Sequence, residues 1–587
     1  MSSEDLRAAK PRSGGSTFTD SVRVVPGHCD LYGKRARQRD LVRLVERYPA
    51  FEWLSFLSRV QNMLWGPRTG EKDWFAPVFA GALSEDIRRR LREFERASPK
   101  TMRLGLFFER QLSTLQELVI LYAPEEGTRK LDNESGRDDF GRALFMTRDA
   151  MIARRRLSSG IHTIGAYAYQ DYLRSCLTNP LIFAARAYDF YGLGHTSQSQ
   201  ELNKYLELFS QATNVGARDF LLGALRTLIF ELREPADLAS GWSPVHRPGQ
   251  LKNPIERRMV EAFQAVRMKP LQEVRTLITL RERRRPIRDW NLIALSEAPL
   301  IEFPNRGAFV INHTALGRTM FDGVRHAILG AALAKRLPSP FDDPASVNSL
   351  FTGLFEQYVA RILEASAPNR TIRIPAANDM KRADLIVWYS DKVLVVECKG
   401  GSLPAVDNHK YMDLIERKRW LERIGLAKAT AQIASTVDAL RSGALKCLGM
   451  PNFDWTITPV VPVIVTLEPI PHIPRSWETL FGSLDRRFRR LRSAGPVGRL
   501  RILSTDEIEM VPGLHGIDDF ATILLKWGAS PTEYELPWTV FLHRNDVKFS
   551  GETMSSRAVK MWRILASDLG LNPDLLGPAR RPSGATV

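Results

Sequence analysis

Apolar residues recur at helical spacing over most of the first 300 positions. Leu41, Leu44, Val45 and Tyr48, then Phe51, Trp53, Leu54, Phe56 and Leu57, predict two helices punctuated at Pro49. Leu112, Leu115, Leu118, Val119 and Tyr122 mark a strong helix over 104–122. The charged, glycine-containing stretch from Pro124 to Phe140 reads as a surface loop. Helical patterns resume over 140–156, 161–177, 180–191, 200–211 and 216–233. Pro235 to Pro254 reads as a linker, followed by a helix over 255–280 that runs into Arg281–Glu282–Arg283–Arg284–Arg285. Short strands are expected over 292–303 and 308–311.

Beyond the break at Pro338 to Pro344 the pattern changes. Leu350, Phe351, Leu354, Phe355, Tyr358, Val359, Ile362 and Leu363 form a broad helical stripe with Glu356 on its margin. Two β-rich runs, 384–389 and 393–399, are joined by Ser390–Asp391–Lys392, a link of hairpin length. Side chains alternate along a strand, so Val393, Val395, Glu397 and Lys399 share one face while Leu394, Val396 and Cys398 share the other. Placing an acid and a lysine at the end of so apolar a strand carries a desolvation cost, which makes sense where the pair meets an ion or a phosphate. The hairpin also returns Asp384 toward Glu397. Gly400–Gly401 and Pro404 end the strand, helices follow over 411–424 and 426–440, and further strands are expected over 460–467 and 499–503.

Asp384, then Glu397–Cys398–Lys399 across a hairpin of apolar strands, resembles the PD-(D/E)XK, or restriction-endonuclease-like, nuclease superfamily. The residue before Asp384 is Ala383 where the family name carries proline. The resemblance covers roughly 345–510. It implies an α/β fold in which a mixed sheet is flanked by helices, here after a mostly helical N-terminal region. It further implies that Asp384 and Glu397 bind Mg2+ or Mn2+ with help from the Cys398 carbonyl, and that Lys399 positions the attacking water. Glu356 matches the acidic residue that the family often carries on a helix before the first strand. Lys428 or Gln432 matches a polar residue that some branches take from a later helix. The expected activity is phosphodiester hydrolysis, in DNA more than RNA, with a prokaryotic restriction or phage-defence role by analogy. The rival reading is a catalytically silent nucleic-acid-binding or scaffold protein that keeps the fold, with Glu397 and Lys399 an ordinary ion pair.

Composition fits these expectations. The chain has 587 residues, 44% of them hydrophobic, enough for several domains. A net charge of +17 suggests an anionic partner, though charge alone also fits a membrane surface or mere solubility; nucleic acid is the partner expected from the resemblance, with a regulatory protein partner as a separate expectation. Arg154–Arg155–Arg156, Arg281 to Arg288 and Arg486 to Arg492 carry charge that can grip phosphates; in the last, Leu484, Phe488 and Leu491 also fit the plain reading of an amphipathic helix with a wet arginine face. Cys29, Cys176, Cys398 and Cys447 lie far apart, which argues against a disulfide framework or a cysteine-rich zinc site and fits a cytoplasmic setting. No apolar run is long enough to span a bilayer. Gly27 to Gly33–Lys34–Arg35 has the wrong spacing for a phosphate loop, and hydrolase and zinc-protease signatures are lacking. The expected organisation is a tail over 1–20, a helical domain over 21–240, a linker and connecting α+β region over 241–340, a nuclease-like domain over 341–550, and a C-terminal helix and tail over 551–587.

Overall fold

The computed structural model describes residues 23–24, 26–65, 81–97, 103–104, 109–153, 180–193, 198–233, 248–284, 292–304, 306–367, 370–374, 382–401, 422, 425–447, 449–467, 482, 484–514, 519–529, 538–545, 547, 554–568 and 570. The expected tails and the helices over 161–177 and 411–424 lie outside these, save for Glu422. The chain is α/β and divides into two compact units. One comprises residues 1–64, 69–156 and 237–240, and the other comprises 65–68, 157–236 and 241–587.

The first unit is helical. Its larger helices are α1 (Gln38–Val45), α2 (Ala50–Trp65), α3 (Glu85–Ala97), α4 (Glu109–Tyr122) and α5 (Glu134–Ala153), beside a two-stranded parallel ribbon of β1 (Arg23–Val24) and β2 (Arg103–Leu104). The loop expected over 124–140 therefore stops short. Asn133 accepts from the Gly136 amide at 2.8 Å and opens a helix at Glu134, so the charged residues there are its first turns. A side chain at position 136 would lie 2.5 Å from the Leu131 Cα, which explains a glycine inside a helix start.

In the second unit a bundle comes first: α6 (Pro180–Phe190), α7 (Gln200–Thr213), α8 (Ala217–Arg233) and α9 (Pro254–Arg267). The helix expected over 255–280 is two helices. Pro270 cannot donate to a helical ladder, and Met268–Pro270 instead forms strand β3 before a second helix at Leu271–Arg284. β3 pairs in parallel with β4 (Leu300–Phe303), which pairs antiparallel with β5 (Gly307–Val310). The strand expected over 292–303 is likewise split, because Leu292–Glu297 is helical and Pro299 restarts the chain as β4. A long helix, α10 (His313–Leu333), leads to α11 (Pro344–Ser366), which opens on an Asp343 side-chain cap and Pro344.

The main sheet has five strands in the order β10–β9–β8–β7–β6, with β6 Thr371–Arg373, β7 Leu385–Trp388, β8 Val393–Lys399, β9 Val460–Thr466 and β10 Arg501–Ser504. β7 runs antiparallel to its neighbours β6 and β8, whereas β8, β9 and β10 are parallel. A crossover from β8 to β9 carries α12 (Leu426–Arg441). As the alternation predicts, Val393 and Val395 pack with Ile433 and Val437 of α12 on one face. Leu394, Val396 and Cys398 pack on the other with Phe355 and Val359 of α11.

That second core does not stop at residue 341. It takes in Tyr205, Phe209, Leu221 and Leu225 of the bundle, and Trp562 and Leu565 of the C-terminal helix Met554–Asp568. The separation expected between a helical domain over 21–240 and a nuclease-like domain over 341–550 therefore falls elsewhere, near residue 156. Helices from 180 onward turn their apolar side into the core they share with α11 and the sheet, and composition alone does not separate them from the helices before 156. Among the described residues no helix is long and apolar enough to cross a membrane.

Candidate functional site

The site is built at the C-terminal end of β8, the central strand. The β7–β8 register sets Leu385 against Val396, so Asp384 comes beside Glu397. The Cys398 amide donates to Asp384 Oδ2 at 2.7 Å and fixes that carboxylate on the hairpin. Glu397 is 1% exposed, and its Oε1 is ion-paired with Lys399. Its other oxygen, Oε2, is buried and has no hydrogen-bond partner.

Helix α12 supplies the third side. Gln432 Nε2 donates to the Arg382 carbonyl at 3.0 Å, and Gln432 Oε1 lies 3.5 Å from Lys399 Nζ. One turn on, the Thr436 hydroxyl accepts from the Ala383 amide at 2.8 Å. Gln432 and Thr436 together clamp the backbone just before Asp384, with Thr436 in the spacing of one helical turn. Lys428, a turn earlier, stays on the exposed face and makes none of these contacts.

Glu356 comes from α11 and faces Arg373 of β6, its Oε2 3.6 Å from the guanidinium. Its carboxyl is pushed up to about 7, by burial first and by the Asp384 charge second. Burial, then Asp384, pushes Glu397 up to about 8, against the pull of Lys399. Asp384 is also raised by burial, opposed by the Cys398 amide and the Lys399 charge. Three acids thus crowd one end of the sheet with too little positive charge to keep all of them ionised.

A divalent ion fits what Asp384 and Glu397 offer, namely hard carboxylate oxygens, one of them buried and unsatisfied. Among the described residues, however, no group of three or more His, Cys, Asp or Glu side chains gathers to hold a metal ion. Protein ligation would therefore rest on two carboxylates, the backbone of Cys398 and water, a sparse set of the kind Mg2+ accepts.

Of the expected residues, Asp384, Glu397, Lys399, Gln432 and Cys398 come together, and Glu356 stands beside them. Sequence reasoning missed Arg373 and Thr436. Thr436 was within reach of the helical repeat from Gln432, whereas Arg373 sits on a strand too short to show a period. Of the basic runs, Arg154–Arg156 lies outside the described residues, as does Arg285 to Arg288. In the last run Phe488 and Leu491 are buried, Arg492 pairs with Asp485 at 2.6 Å, and Arg486, Arg487, Arg489 and Arg490 are exposed. Those four form the wet face of an amphipathic turn. Comparison with protein-family models, with curated proteins and with solved structures finds no match to the chain.

Proposed function

We propose that this chain is a metal-dependent nuclease that hydrolyses phosphodiester bonds, in DNA by preference, and that it serves as a restriction or phage-defence effector. The observation that carries the reading is the convergence of Asp384, Glu397 and Lys399 at one strand end, with a buried carboxylate oxygen left unsatisfied. The arrangement of the main sheet also supports it. A helix bearing an acid precedes the first strand, a hairpin carries the motif, and a helix bearing glutamine follows, flanking a mixed sheet on both faces.

In this reading Asp384, Glu397 and the Cys398 carbonyl hold Mg2+ or Mn2+. A divalent ion bound there makes water a stronger nucleophile and offsets charge growing on the phosphate. Asp384 is already fixed by the Cys398 amide, so little reorganisation is needed on that side. Glu397 must lose its proton to become a ligand, and Lys399 is placed to stabilise the resulting anion. Lys399, steadied by Gln432, has donors to orient water toward the phosphorus. Gln432 and Thr436 act at a distance by holding the backbone before Asp384.

Purified full-length protein with Mg2+ or Mn2+ on linear DNA, circular DNA and RNA tests the proposal beside Glu397→Ala. Wild-type cleavage lost in Glu397→Ala and Asp384→Ala is expected. Lys399→Ala is expected to lose cleavage while keeping Mn2+ affinity once the pH is high enough to ionise Glu397 without its lysine partner, and Lys399→Arg not to restore cleavage. The sparse ligand set favours one second reading, a silent nucleic-acid-binding protein. Mn2+ that fails to bind wild type but not because of misfolding, together with intact DNA binding, would establish that reading instead.

A further inference from the structure

We propose that Arg373 is a phosphate-binding residue of this site, held by Glu356 until the backbone of a nucleic-acid strand takes its place. The inference rests on the nuclease reading and adds the residue that receives the substrate. Arg373 ends β6, the edge strand, and its register places it opposite Leu385, next to Asp384. Its contact with Glu356 Oε2, at 3.6 Å, is too long for a hydrogen bond, and its side chain is 47% exposed. The guanidinium is thus near the carboxylates and only loosely engaged.

Lys428 stands on the exposed face of α12, across the sheet from α11, and the cations nearer Arg373 are committed elsewhere. Lys399 is paired with Glu397 and close to Gln432. Arg361 donates to the Asp189 carbonyl at 3.1 Å and lies over the Tyr358 ring. Arg382 has a partner of its own. Charge favours a cation at the rim, because Asp384, Glu397 and Glu356 outnumber Lys399 and Arg373 and whichever of these acids is ionised repels an anion. A polyanion approaching that end meets repulsion unless a donor is offered at the rim. A guanidinium fork matches two phosphate oxygens, and exchanging a loose 3.6 Å pair for a charge-assisted bidentate one is favourable. A groove opens beside Arg373 between α11 and β6, lined by Ala360, Arg361, Glu364, Ala365 and Thr371. It gives a strand somewhere to lie, with Glu364 as the one acid along it. No covalent step is involved, only an exchange of ion-pair partners.

The test uses the full chain, with fluorescein-labelled single-stranded and duplex DNA read by anisotropy in EDTA and cleavage kinetics in Mg2+, both over a range of NaCl. Arg373→Ala is expected to raise KM about tenfold with kcat within about twofold, and to reduce the slope of log affinity against log salt by about one. Arg373→Lys, which keeps the charge without the fork, is expected to recover the slope and only part of the affinity. Glu356→Gln is expected to tighten binding in the anisotropy assay, by less when Arg373→Ala is also present. Unchanged KM and slope in Arg373→Ala, or a lowered Tm in both arginine variants with KM unchanged, overturns the inference and leaves a structural ion pair. A wild type that neither binds nor cleaves sinks the nuclease reading itself; a wild type that cleaves beside an Arg373→Ala variant with the same KM and slope sinks this inference alone.

Discussion

Glu397 is a carboxylate whose native environment favours its proton, and this gives the site a signature in pH. Its carboxyl stands at about 8 in the folded chain against an ordinary value near 4.5. Between those two values the folded state binds the proton that the unfolded state has released, so the metal-free protein loses stability as pH rises across that window. Below it the group is neutral in both states and contributes no slope. Glu397→Gln, which keeps the shape and removes the charge, is therefore expected to melt with the wild type at pH 5 and above it at pH 8.5, in EDTA. Equal melting temperatures at both values would mean that Glu397 is ionised at no cost. In the proposed reading Mn2+ affinity rises over the same range, because Glu397 must be deprotonated before it can hold the ion. Much of this was legible beforehand. Strand alternation placed Glu397 and Lys399 on one face, and helical spacing placed Gln432. Neither rule reaches Arg373, whose strand has three residues, and neither shows that Lys428 turns to solvent while Gln432 turns inward.

At the level of elements, the boundaries that sequence missed share a cause. Punctuating residues decided them, not periodicity: Pro270 split one helix, Pro299 divided a helix from β4, and Asn133 opened α5 inside a charged stretch. Packing between helices shows the same dependence on single residues. Gly317 lies on α10 where that helix crosses the start of α6, and an added Cβ would meet the Pro180 Cα at 2.7 Å and its carbonyl oxygen at 2.8 Å. Backbone atoms cannot step aside as a flexible side chain would. Gly317→Ala gains about 0.5–1 kcal/mol of helix propensity, yet overpacking costs about 1–3 kcal/mol. With backbone atoms in the way the cost falls in the upper part of that range, about 2–3 kcal/mol, so the expected outcome is a net loss of about 1–2 kcal/mol in urea unfolding of the second unit. A neutral or stabilising result would show that α10 and α6 can slide apart freely.

On the scale of the whole molecule, a buried ionic group fastens the bundle of the second unit to α11 and to the segment that follows β10. Arg186 of α6 donates to Glu509 at 2.6 and 2.7 Å and pairs with Asp506, while the Tyr358 hydroxyl of α11 donates to Glu509 at 2.6 Å. All four are buried. Tyr358 stands two residues from Glu356, so the group also anchors the helix that brings Glu356 to the site. Arg186→Met would leave two carboxylates buried with no cation, at a cost of about 3–5 kcal/mol. Loss of that size in thermal or urea unfolding is expected, and a loss below about 1 kcal/mol would mean that water reaches the pair. Periodicity holds no hint of this contact, since Arg186 lies more than 300 residues from both Asp506 and Glu509 along the chain. The helices from 180 to 233 looked like part of a separate helical domain for the same reason: amphipathic periodicity tells which side of a helix is buried but not what buries it.

The position of β8 also bears on how the chain is made. Its antiparallel neighbour β7 precedes it directly, but its parallel neighbour β9 begins about 60 residues later. At ribosomal speeds of about 5–20 residues per second, one edge of an almost wholly apolar strand waits several seconds for its partner. The bundle and α11 have by then been synthesised and can cover the Leu394–Val396–Cys398 side, whereas the side bearing Glu397 stays bare until α12 emerges. The strand that carries Glu397 and Lys399 is therefore open to mispairing along one edge during synthesis, and the helices encoded ahead of it serve the nascent chain as a built-in shelter.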